Sequence, residues 1–199
     1  MLDENLTKLK DIANHTEKAG ASSVKIISTK DIHVDHKLAD MCRQPRCENY
    51  GLSKNCPPHI PGPAYFIKKL TSFEKALFFK IDVPSKVLFS NERIELFQLL
   101  HEIASGVEQY AIKSGFINAE AYAGGSCKGL FCRDYPKCNQ LSSGGKCRNP
   151  LIARPSMSGF GIDVARLAKK AEWQTEWVTH DKKPIDNKTA NVYGLILLY

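Results

Sequence analysis

Seven cysteines carry the chemistry that this sequence offers, and they fall in two short stretches. Cys42, Cys47 and Cys56 follow C-x4-C-x8-C-P; Cys127, Cys132, Cys138 and Cys147 follow C-x4-C-x5-C-x8-C. Thiolate sulfur is a soft ligand that selects zinc, copper(I) or iron–sulfur clusters. Structural zinc draws its ligands as tight pairs and holds all four sulfurs about 2.3 Å from one point. Neither stretch contains C-x-x-C, so the common zinc pattern is missing. Ligands spaced this widely suit a cluster, whose irons lie several ångströms apart. Cys56-Pro57 also matches the end of the bacterial ferredoxin ligand run, although the other spacings differ. The C-x3-C-x2-C run of radical-SAM enzymes is absent.

The second stretch supplies four thiolates, a full set for one [4Fe-4S] cubane, and the first supplies three. The expectation is one or two [4Fe-4S] clusters, with the sulfurs partitioned by loop or mixed between loops. His59 is the nearest imidazole to Cys56 for an eighth ligand, set against the plainer reading of a surface histidine in a proline loop. A three-thiolate cluster would leave one iron open to substrate. Gly124 and Gly125 are candidate cofactor-binding positions, where backbone amides approach sulfur closely. Arg154 is another, because its planar fork suits an anionic group; its plainer reading is an ion pair with Asp163. His33 and His36, near Cys42, are further candidate donors to a site; their plainer reading is an exposed pair on a strand or turn.

The net charge of +7 first raises nucleic acid as a partner. Its placement argues otherwise. Arg43, Arg46 and Lys54 against Glu48 leave a surplus of two within the first stretch. Lys128, Arg133, Lys137, Lys146 and Arg148 against Asp134 leave four around the second. Six of the seven excess charges thus accompany the cysteines, where cations stabilise anionic thiolates.

The rest of the chain must position these loops. Its 43% hydrophobic and 25% charged residues are globular values, and its 199 residues suit a single domain with cysteine-rich inserts at 42–63 and 124–158. The opening residues do not form a secretory signal and no apolar run is long enough to span a bilayer, so the expected compartment is the cytoplasm. Clustered thiols there are ligands or catalysts rather than disulfides. Leu6, Leu9, Ile12 and Ala13 predict a helix stopped by Gly20. Ser23–Ser28 predicts a strand, extended by the alternation of Ile32 and Val34. Residues 64–73 predict a short helix and Lys75–Val83 a buried strand. Ser90 is the expected cap of a long helix to Ser114 with a stripe of Leu96, Leu100, Ile103, Val107 and Tyr110. Phe116–Ala123 predicts a strand, Gly161–Trp173 a helix capped by Ser158, and Asn191–Tyr199 a final strand. Alternating strands and helices predict an α/β or α+β fold with a mixed sheet of about four to five strands. Both cysteine loops follow predicted strands, and would meet if those strands ended on one side of the sheet.

The motif C-x4-C-x2-YG-x4-CPP (Cys42 to Pro58), joined to GGSCKGLFC…C…GKCRNPLIARPSMSGFGIDV (Gly124 to Val164), resembles the prokaryotic predicted metal-binding proteins of the domain-of-unknown-function family numbered twenty-two eighty-four. The resemblance spans most of the chain. It implies a cysteine-ligated metal, of iron–sulfur type, in anaerobe-type metabolism. No hydrolase triad, P-loop or dinucleotide fingerprint accompanies it. Three functions follow: an iron–sulfur protein that transfers electrons to a redox partner or performs redox or Lewis-acid chemistry on a small molecule; a zinc-stabilised structural or interaction module; and a basic nucleic-acid binder.

Overall fold

The antiparallel order β1-β2-β4-β3 decides where the two cysteine loops leave the sheet. The computed structural model describes residues 2–142, 144–174 and 188–199. In chain order its elements are α1 (Leu2–Lys18), β1 (Ser23–Ser28), α2 (His36–Asp40), α3 (Pro63–Leu70), β2 (Lys75–Pro84), α4 (Arg93–Lys113), β3 (Glu120–Tyr122), α5 (Cys127–Phe131), α6 (Val164–Lys170) and β4 (Thr189–Leu198). The expected mixture of strands and helices is present, with four strands paired antiparallel. Among the described residues a parallel pairing occurs only at the isolated bridge Ala123–Ser156.

The two central strands are buried on both faces, which is why each reads as a nearly continuous apolar run. Leu77, Phe79 and Ile81 of β2 point with Ile196 and Leu198 of β4 towards α1 and α4, where Ile12, Leu100, Ile103 and Val107 pack. Ala76 and Phe78, with Tyr193, Leu195 and Leu197, face the opposite layer of Phe66, Phe160, Leu167 and Trp173. Gly194 lies in register with Phe79 and leaves room for its ring; a Cβ there would collide with the ring edge. No described helix is long and apolar enough to cross a membrane.

Four local expectations are corrected. After β1 the chain turns through a 3-10 segment, Thr29–Asp31, instead of extending the strand. Ile32 is then buried in the second core layer, and Val34 bridges to Ile162. Phe116–Ala119 forms a turn instead of a strand: the Phe116 amide donates to Ala111 O and the Ala119 amide to Phe116 O. Ser90 lies before α4, where its hydroxyl bonds Val87 O and accepts from the Glu92 amide, and the helix starts at Arg93. Asp163, rather than Ser158, caps α6 by accepting from the Arg166 amide at 2.9 Å.

The strands leading to the cysteine loops do not end on one side. Three successive antiparallel pairings make β1 and β3 run in opposite directions. The loops meet because the chain after β1 turns back across the second face to reach Ile162.

Candidate metal centre

The segment Arg154–Val164 joins the two cysteine loops. The Ala123 amide donates to Pro155 O, and the Met157 amide to Ala123 O, at 3.0 and 2.9 Å. The same segment holds the first loop: the Ser156 amide donates to Asn55 O, the Asp35 amide to Gly161 O and the Asp163 amide to His33 O. Gly161 has φ +71° and sits against the Asp35 carbonyl, so close that a Cβ would overlap its oxygen. Only glycine adopts that conformation there without strain.

The neck of the second loop is pinned from α4. His101 is fully buried; its Nε2 lies 3.1 Å from Gly124 O, and its Nδ1 accepts from the Arg154 amide at 3.1 Å. This pattern needs a neutral ring protonated at Nε2, and burial depresses the His101 pKa to about 4. Glu108, also on α4, accepts from the Ala121 amide at 2.7 Å and from Nε and Nη2 of Arg154. The loop's entry and exit are therefore fixed to one helix.

All four sulfur-bearing residues of this loop, Cys127, Cys132, Cys138 and Cys147, line one small void. Hydrogen-bond donors already point at three of these sulfurs. Asn149 donates its backbone amide to Cys147 Sγ at 3.4 Å and its side-chain amide to Cys132 Sγ at 3.3 Å. Asn55 Nδ2 donates to Cys127 Sγ at 3.6 Å, and Ser53 Oγ lies 3.0 Å from the same sulfur. Lys128 crosses to Cys132 O at 2.8 Å, and Arg148 stacks over Tyr135 at 4.0 Å while bonding Lys137 O.

Cys42, Cys47 and Cys56 line a separate, larger cavity of about 570 Å³. The turn that assembles them is closed by the Gly51 amide on Pro57 O at 2.9 Å, with Gly51 at φ +80°. Cys56 donates to Ser126 Oγ at 3.4 Å. The two sites therefore interlock: Ser53 and Asn55 of the first loop contact the sulfur of Cys127, and Ser126 of the second contacts that of Cys56.

All seven cysteines are free thiols. Burial raises the pKa of Cys56 and Cys42, and pushes Cys127 up to about 11. Neighbouring sulfurs add to this: Cys47 acts on Cys42, and Cys56 on Cys127. Buried thiols crowded together ionise when a cation joins them, and a bound metal is the direct way to supply one. Among the described residues no three His, Cys, Asp or Glu side chains form a single-ion site; the sulfurs line two cavities instead. Four thiols line one void and polar groups contact three of their sulfurs, those of Cys127, Cys132 and Cys147, a donor set whose chemistry suits an anionic cluster.

The other sequence candidates are engaged elsewhere. His59 Nε2 lies 3.2 Å from Gly51 O, within the turn of the first loop. The Arg154 guanidinium pairs with Glu108, not Asp163, and also bonds Pro150 O and Ala153 O. Gly124 and Gly125 make room for Phe97, and Gly125, at φ +75°, also reaches the rim of the three-cysteine cavity. His33 and His36 are exposed. The sulfur-contacting residues Ser53, Asn55, Ser126 and Asn149 are not visible to reasoning on cysteine spacing. Their one signal is position, since each lies within three residues of a cysteine.

A family model described as "Predicted metal-binding protein (DUF2284)" matches residues 25–198. No curated protein and no solved structure matches the chain.

Proposed function

The chain belongs to the DUF2284 family of predicted metal-binding proteins, and we propose that the metal is iron, held with sulfide as [4Fe-4S] clusters by its seven cysteines. In this reading Cys127, Cys132, Cys138 and Cys147 hold one cluster and Cys42, Cys47 and Cys56 hold a second. The observation that carries it is the division of the sulfurs into two sets by two cavities, four lining one and three the other. Such clusters pass single electrons, and an iron without a cysteine ligand acts as a Lewis acid.

The chain's own residues supply the rest. Asn149, Asn55 and Ser53 donate to or contact second-loop sulfurs, which steadies negative charge there and favours the reduced state. His101, Glu108 and Arg154 hold the loop's two ends together. The first site opens onto a cavity of about 570 Å³, large enough for a small molecule. The four-cysteine site therefore suits electron transfer, and the three-cysteine site suits redox or Lewis-acid chemistry on a small substrate.

Spectroscopy under strict anaerobiosis tests the reading. Brown protein with broad visible absorption that bleaches under dithionite supports it. Colourless protein holding zinc returns the chain to the structural zinc module and overturns it.

A further inference from the structure

The cavity over the three first-loop cysteines does not stand alone. A second cleft of about 410 Å³ adjoins it, and the two share Asn49, Gly125 and Ser126 in their linings. Gly125 carries no side chain at this shared boundary and is exposed. The two spaces differ in chemistry. Around the cysteines the wall is largely apolar, with Leu38, Met41, Ile162 and Val164; its one carboxylate, Asp163, is engaged in capping α6 through the Arg166 amide. The adjoining cleft presents the guanidiniums of Arg93 and Arg133 against the single carboxylate of Glu48. Arg93 meets Glu48 at 3.5 Å with both side chains well exposed, a pairing that an incoming anion can displace. Arg133 is exposed at the same cleft.

We propose that this joined cavity binds a small organic anion, whose apolar body lies over Cys42, Cys47 and Cys56 and whose carboxylate or phosphate is held by Arg93 and Arg133. The inference rests on reading the three-cysteine site as a cluster with one iron left open. A guanidinium fork matches the two oxygens of either group, and the apolar side chains would cover the body of the molecule beside the cysteines. Arg93 and Arg133 thereby fix which part of the molecule meets the metal.

The test uses the full-length protein loaded anaerobically, as wild type and as the double variant Arg93→Gln/Arg133→Gln. Iron and sulfide are counted first in both. The probes are benzoate, phenyl phosphate and the neutral control benzamide, titrated by calorimetry and by the electron paramagnetic resonance signal of the reduced protein. The expected result is binding of at least one anion with a change in that signal. Its affinity falls roughly tenfold or more in the double variant, as loss of charge-assisted hydrogen bonds requires. Benzamide binds at least about tenfold more weakly than the anion, by the same reasoning. The stronger of the two anions identifies the headgroup. Failure of both anions to bind, equal binding of benzamide, or unchanged affinity in the double variant overturns the inference. An iron-free wild type is seen before any titration and overturns the cluster reading itself, so the two failures are distinct.

Discussion

Ser53 Oγ lies 3.0 Å from Cys127 Sγ, although 74 residues separate them in the chain. A first-loop hydroxyl thus touches a second-loop sulfur, and neither cysteine-lined cavity is built by one loop alone. Hydrogen bonds to ligand sulfur stabilise the more negative, reduced cluster and raise its potential. Ser53→Ala should therefore shift the potential of the second site downwards by roughly a few tens of millivolts, the equivalent of one net hydrogen bond. A redox titration followed by electron paramagnetic resonance measures it. An unchanged potential would show that the contact does not reach the metal.

Replacing Cys132 and Cys138 together with Ala removes two of the four sulfurs lining the second void. Iron per chain should fall by about four, the content of one cubane, while the first site keeps its metal. The loop should also lose order, because ligand removal from a metal site uncouples the metal's binding energy from local folding. Full iron content in the double variant would refute the ligand assignment.

Gly161 lets the segment after the second loop lie against Asp35 before the first. Gly161→Ala introduces a Cβ at φ +71° and drives it into the Asp35 carbonyl. The expected destabilisation is on the order of 2–3 kcal/mol. For a chain of this size that lowers Tm by roughly 5–10 °C. Thermal unfolding checks this, and a change of less than about 1 °C would show that the clasp is not structural.

His101 makes stability depend on pH. Its folded pKa is about 4 against 6.5 for the free group, because burial penalises the charged ring. Between those values the unfolded chain takes up a proton that the folded one refuses. The neutral ring's contribution is therefore complete above about pH 6.5 and is lost as pH falls towards 4, to roughly 3 kcal/mol. Urea midpoints of wild type should drop across this window, and His101→Asn should flatten the slope. Parallel pH profiles would contradict the assignment.

In metal-free protein the thiols should alkylate in order of exposure and ionisation. Cys47 is exposed and should react first with iodoacetamide. Cys56 and Cys127 are buried with raised pKa values and should react last. Peptide mapping by mass spectrometry reads the order, and early labelling of Cys127 would show that the loops are not docked in the apo protein.

The parts of the molecule legible in the sequence are those fixed by local pattern. The central strands around Phe78 and Leu195 show through because both faces are buried. The long helix shows through because Leu96, Leu100, Ile103 and Val107 repeat at its period. Ile32 and Val34 mislead because their alternation serves docking against a distant segment at Ile162 instead of a sheet edge. The cysteines were legible as ligand candidates by type and spacing. The partners of Arg154 and Cys127 were not: Glu108 lies 46 residues from Arg154, and Ser53 lies 74 from Cys127. No local pattern encodes contacts at such separations.

The central claim is tested most directly by counting iron, acid-labile sulfide and zinc per chain in protein purified without oxygen. Two cubanes predict about eight irons and eight sulfides, with negligible zinc. One or two zincs per chain with little iron or sulfide would contradict the account.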